Sequence, residues 1–68
     1  MTASSDHAEL STLRSGLEES TQRVVAVADR YRDTDDSAIA GDLDRAERSL
    51  MAARRAIDQA LRALADLA

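Results

Sequence analysis

The chain has 68 residues, of which 44% are hydrophobic, 32% are charged and a single Tyr is aromatic. A chain this short forms one domain at most, and without Cys it has no disulfide, so association with another chain is the expected source of stability. The formal charge of −4 disfavours nucleic-acid binding, which needs a basic surface, and no apolar run is long enough to span a bilayer.

The composition also carries information about source and location. The nine basic residues are all Arg, which indicates a GC-rich coding sequence of the kind found in actinobacteria. The first residues lack the basic and apolar regions of a signal peptide, so we expect a cytoplasmic protein.

The first predicted element is an amphipathic helix over about residues 6–33. Its apolar residues recur at alternating steps of three and four, which is the heptad pattern of a helix that packs along one stripe. Ser20 fills the single polar slot of this predicted seam. Asp6 and Glu9 resemble a capping box, with Ser4 or Ser5 as alternative caps, and residues 1–5 are expected to be frayed. The apolar seam residues are Leu10, Leu13, Leu17, Val24, Val27 and Tyr31.

A short acidic turn over residues 34–37 is predicted to separate this helix from the next. Its Thr, Asp and Ser residues are good N-caps, and acidic groups suit the positive end of a helix dipole. The spacing of Asp33, Asp35 and Ser37 also resembles the start of a calcium loop. However, Ala38 stands where that loop needs Gly, and the final bidentate Glu is missing, so helix capping is the preferred interpretation.

The second predicted element is a helix over about residues 38–67 with the same heptad pattern. Gly41 is placed inside its first turns, because the step from Ile39 to Leu43 keeps the register. Large and small seam residues alternate, and the small ones would let another helix approach closely. Within this helix, Asp44–Arg48 and Asp58–Arg62 are predicted ion pairs. The seam residues are Ile39, Leu43, Ala46, Leu50, Ala53, Ile57, Ala60, Leu64 and Leu67.

Two helices of similar length with a short link are expected to fold back on each other as an antiparallel hairpin. The all-α fold predicted here is that hairpin, with residues 1–68 as a single domain. One partner helix does not cover both the large and the small seam residues, so we expect a homodimeric four-helix bundle. A monomeric hairpin with a few exposed apolar side chains is the alternative.

The pattern specifies a packing surface and no recognisable chemistry. With one His, no Cys and no phosphate-binding loop, we expect no enzyme activity, no catalytic or metal site and no cofactor. The predicted function is protein–protein interaction, through self-association or through a different helical protein. Arg48, Arg55 and Arg62 recur every seven residues on the outer face, so contact with a partner or with nucleic acid is an alternative, although a solvated face explains them more simply.

A second alternative comes from the end of the first helix. Residues Tyr31 to Asp35 fit a Tyr-x-x-x-Asp pattern, and between Val24 and Asp35 the chain resembles the small helical-hairpin proteins of type VII secretion. That resemblance implies a secreted protein with Tyr31 and Asp35 in its signal. In that family, however, the motif follows the second helix and a Trp-x-Gly turn joins the helices. Here the motif ends the first helix and the chain has no Trp.

Overall fold

The computed structural model describes residues 2–67, which form two α-helices joined by a short turn. Helix α1 spans Ala3–Tyr31 and helix α2 spans Ser37–Leu67. They pack against each other within one chain, so the predicted helical hairpin is confirmed. Its Cα atoms extend over 52 × 14 × 13 Å, the shape of two helices side by side.

Helix α1 begins three residues before the position predicted from the sequence. Thr2 is the N-cap: its backbone is extended and its hydroxyl accepts a hydrogen bond from the Ser5 backbone N–H at 3.1 Å. This bond satisfies one of the N–H groups that a helix N-terminus leaves without an intrahelical partner. Asp6 therefore lies in the first turn of the helix rather than at the cap position. In the first turn its negative charge interacts favourably with the helix dipole.

The turn over residues 32–36 is organised by two residues. Asp33 adopts a positive φ of 62°, a left-handed conformation that Asp tolerates better than most residues. The Thr34 hydroxyl donates to the Tyr31 carbonyl at 2.6 Å and accepts from the Asp36 backbone N–H at 3.2 Å. These bonds end α1 and reverse the chain without Gly or Pro.

Helix α2 begins at Ser37, one residue before the predicted start. The Ser37 N–H donates to the Thr34 carbonyl at 3.1 Å, and the Ile39 N–H donates to the Asp36 carbonyl at 3.0 Å. Gly41 lies inside the helix, as predicted, and a Cβ added there would meet nothing within 4 Å.

The interior of this hairpin is small. Of residues 2–67, only Ala28 and Ala40 are buried, at 1% and 3% exposure, and no large side chain is fully enclosed. Neither helix, over the residues described, has a stretch apolar enough to cross a membrane. The packing between α1 and α2 therefore rests on partly buried side chains rather than on a closed core.

Candidate interaction face

Half of the predicted seam lies between the two helices. One residue in every seven contributes to it, and each of these side chains is partly buried. We call this set the central seam: Leu10, Leu17, Val24 and Tyr31 on α1, and Leu43, Leu50, Ile57 and Leu64 on α2. These eight residues lie along the contact between α1 and α2, and their role in an interaction stays a prediction.

The other half of the predicted seam is displaced from the contact between the helices. Leu13, Ile39 and Leu67 are 53%, 41% and 76% exposed. Ala53 and Ala60 are exposed as well, as is Ser20, so these six residues do not lie in the contact between α1 and α2 of one chain. Val27 and Ala46 remain partly buried at the edge of the contact.

The residues that follow the displaced ones by one position face the neighbouring helix in their place. They are buried or partly buried, and they include charged side chains that the apolar pattern could not have selected. At 3.6 residues per turn, positions three and four after a seam residue fall on opposite sides of it, so a helix can present either one. These residues are Arg14, Thr21 and Ala28 on α1, and Ala40, Glu47, Arg54 and Leu61 on α2.

Two residues of this second set form ion pairs with the neighbouring helix. Arg14 donates a hydrogen bond to Asp58, and Arg54 approaches Glu18 with 3.7 Å between Nη1 and Oε1. Long charged side chains can lie in such slots because their aliphatic stems cover apolar surface while the charged ends meet partners or water. We call this side of the hairpin the ion-paired flank.

The same flank continues to the turn. Arg32 donates two hydrogen bonds to the carboxylate of Asp44, at 3.1 and 3.0 Å, and this fork geometry is the strong form of an Arg–carboxylate contact. The bond from Arg32 lowers the pKa of Asp44 below its usual 3.8, and the bond from Arg14 does the same to the pKa of Asp58. Both carboxylates therefore stay ionised to a lower pH than usual.

These contacts replace the ion pairs that were predicted within α2. Asp44 pairs with Arg32 rather than Arg48, and Asp58 pairs with Arg14 rather than Arg62, so the predicted pairs do not form. Each of these carboxylates accepts a hydrogen bond from an Arg outside its own helix instead of pairing with the Arg four residues further along α2.

The three Arg residues of the predicted outer ridge lie on the side of α2 that faces away from α1. Arg48, Arg55 and Arg62 are exposed, and within residues 2–67 none of them has a carboxylate within 4 Å. Tyr31 of the Tyr-x-x-x-Asp pattern belongs to the central seam, whereas Asp35 is exposed in the turn. Tyr31 and Asp35 therefore lie in different surroundings, one in the helix contact and one at the surface of the turn.

The displaced apolar residues of both helices lie on one side of the hairpin. In an antiparallel pair, residues three positions after the seam residues of either helix point to the same side, and those four positions after point to the other. The contact between Glu18 and Arg54 identifies the second side as the ion-paired flank. The opposite side is therefore apolar, and we call it the uncovered flank: Leu13, Ser20 and Val27 on α1, and Ile39, Ala46, Ala53, Ala60 and Leu67 on α2.

Small residues widen the uncovered flank on both helices. Gly16 of α1 and Ser49, Ala56 and Ala63 of α2 lie next to it and are exposed. A Cβ added to Gly16 would meet nothing within 4 Å, so packing inside the hairpin gives no reason for a glycine there. At the open end of the hairpin, a groove of about 290 Å³ forms on this same side between Leu10, Leu13 and Leu64, with Asp6 and Glu9 at its rim.

The accessible surface is larger than that of a typical compact chain. It measures 4890 Å², whereas a folded monomer of this mass exposes about 4,200 Å² on the general size relation. The difference is about 700 Å², and large exposed apolar side chains contribute to it.

Chemistry-bearing groups are sparse in the part of the chain that the structure describes. No group of three or more His, Cys, Asp or Glu side chains there is close enough to hold a metal ion. His7 is partly buried near the start of α1. The Nε of Arg54 is enclosed and has no hydrogen-bond partner among residues 2–67, which places a polar group at the edge of the helix contact.

The hydropathy pattern did not indicate that the two sides of the hairpin differ. The signal available in the sequence was a set of charged residues one position after the predicted seam: Arg14 on α1, and Glu47 and Arg54 on α2. No known protein family, curated protein or solved structure matches this chain.

Proposed function

We propose that this protein is a non-enzymatic interaction module that binds a second copy of itself through the uncovered flank and forms a four-helix bundle. The observation that carries the proposal is the division of the hairpin into two unlike sides. Its inter-helix ion pairs lie on one flank, and of the exposed large apolar side chains Leu13, Ile39 and Leu67 lie on the other, whereas Met51 alone lies on the ion-paired flank. Exposed apolar surface of this extent marks a contact surface more often than a solvated one.

The size of the flank supports a stable dimer. The Cα extents give one broad face of about 700 Å² from its 52 Å length and 14 Å width. A stable protein–protein interface buries about 800 Å² on each partner. The area of one face, measured from the Cα atoms alone and without the side chains, is therefore close to the area that a specific contact buries.

The lack of an enclosed core supports the same conclusion. Short chains need a disulfide, a metal or an additional chain, because one stripe of apolar contacts seldom compensates for chain entropy. This chain has no Cys, and the buried residues between positions 2 and 67 are two Ala. A second hairpin would bury the uncovered flank and extend the central seam into a bundle interior.

The test compares two adjacent substitutions, Ala53→Glu and Ala52→Glu. Ala53 lies on the uncovered flank, whereas Ala52 is about 200° around the helix from Leu50 and faces away from α1. Both residues are exposed alanines in the middle of α2, so they differ mainly in the side they occupy. Light scattering across a concentration series measures mass, and far-ultraviolet circular dichroism measures helix content.

We expect a helical dimer for the wild type and for Ala52→Glu. For Ala53→Glu we expect a dissociation constant raised more than about 100-fold, because an unpaired carboxylate buried in an apolar contact costs several kcal/mol. A wild-type chain that is helical and monomeric at 100 µM would falsify the proposal. A wild-type monomer with little helix would overturn it in favour of a different protein as the partner.

A further inference from the structure

The uncovered flank carries a charge pattern that specifies how a second copy would dock. Glu9 and Arg23 lie at its outer edge on α1, seven residues before and seven residues after Gly16. Both are exposed, and within residues 2–67 neither has an oppositely charged group within 4 Å. One edge of the flank is thus acidic toward the open end of the hairpin, small at its centre and basic toward the turn.

We propose that two copies pack with their turns at opposite ends, so that α1 lies antiparallel on α1 of the second copy and Glu9 pairs with its Arg23. This inference rests on the proposed self-association. A twofold axis through the level of Gly16 places each Glu9 opposite the Arg23 of the other copy. Two equivalent ion pairs form, one on each side of the axis.

The small residues on α2 agree with the same axis. The cross-helix contacts of Arg14 with Asp58 and of Glu18 with Arg54 fix the register of the hairpin. That register places Ala56 at the level of Gly16. The axis therefore crosses both helices where their outward residues are smallest, which allows close approach of α1 to α1 and of α2 to α2.

The opposite arrangement, with both turns at the same end, does not satisfy these charges. It places α1 of one copy on α2 of the other at equal height along the bundle. In the register of the hairpin, Glu9 then faces Ala63 and Arg23 faces Ser49, and neither charge gains a partner. The same arrangement does bring Arg30 opposite Asp42 near the turns, but Asp42 already pairs with Arg45 on its own helix. Charge complementarity therefore favours turns at opposite ends.

Charge reversal tests this pairing. Glu9→Arg and Arg23→Glu are each expected to raise the dimer dissociation constant about tenfold, because each creates two like-charge contacts. The double variant Glu9→Arg/Arg23→Glu restores both pairs and is expected to return to within about threefold of the wild type. Rescue within one chain is excluded because the two side chains are separated by about 21 Å of helix. Failure of the double variant to recover overturns the pairing.

Engineered cysteines test the arrangement independently, since the chain has no Cys of its own. With turns at opposite ends, Gly16→Cys and Ala56→Cys each form a disulfide-linked dimer on oxidation, and Ala52→Cys does not. With turns at the same end, the first two cross-link only when the two variants are mixed. That second result overturns the inferred arrangement while leaving the dimer intact, whereas a wild-type monomer overturns the proposed function itself.

Discussion

Enlarging Ala28 to Leu tests the position of the contact between α1 and α2. Ala28 is 1% exposed and lies one residue after Val27, which the heptad pattern had assigned to the seam. Ala28→Leu adds three carbon atoms where the neighbouring helix leaves no free surface. Overpacking of this kind costs about 1–3 kcal/mol. For a chain of this size each kcal/mol corresponds to about 4–8 °C in Tm, so we expect Tm to fall by roughly 4–24 °C.

Ala26→Leu is the matched control, because Ala26 is exposed on the outer side of the same helix turn. Ala and Leu have similar helix propensities, so its Tm should change by no more than a few degrees. Thermal unfolding is followed by circular dichroism at one fixed protein concentration, since self-association makes Tm concentration-dependent. If both variants melt at the same temperature, Ala28 does not face α2 and the register described here is wrong.

Two further predictions concern the glycines and the ion-paired flank. Gly41→Ala should raise Tm by several degrees, because it improves helix propensity by about 1 kcal/mol at a site with open space. Gly16→Ala should raise Tm less, because the added Cβ enters the proposed contact with the second copy. An equal rise in Tm for the two variants contradicts that contact. Asp58 has a lowered pKa in the folded chain, so the unfolded chain binds more protons at acid pH and stability should be constant above about pH 5 and fall as pH drops below about 4. Asp58→Asn should remove the Asp58 share of this fall and leave the share of Asp44 when Tm is measured between pH 2 and pH 7, because the pKa of Asp44 is lowered as well; an unchanged acid slope contradicts the Arg14–Asp58 contribution.

The elements of this fold were predictable because their signals are redundant. Many residues repeat the same period in each helix, and residues 32–36 interrupt it, so the hairpin did not depend on any single residue. The start of α1 was less predictable, because Thr2, Ser4, Ser5 and Asp6 are all suitable caps. Only the observed hydrogen bond from the Ser5 N–H to Thr2 distinguishes between them.

The position of the contact was only half predictable, for a geometric reason. A residue such as Leu50 is shared by both possible stripes, while Ala53 and Arg54 compete for the next slot on either side of it. Hydrophobicity favours Ala53, and the sequence alone does not reveal that Glu18 lies across from Arg54. In the structure Arg54 occupies this slot and contacts Glu18, whereas Ala53 is exposed.

The ion-paired flank also bears on how far assembly can grow. A hairpin with apolar surface on both sides would add copies without limit and form filaments. Here Arg14, Arg32 and Arg54 form ion pairs on the second side, which exposes Met51 but is otherwise more charged than the uncovered flank. A twofold contact through the remaining side uses the same patch on both copies and therefore closes on itself. The proposed dimer would therefore be a finite assembly rather than the start of a filament.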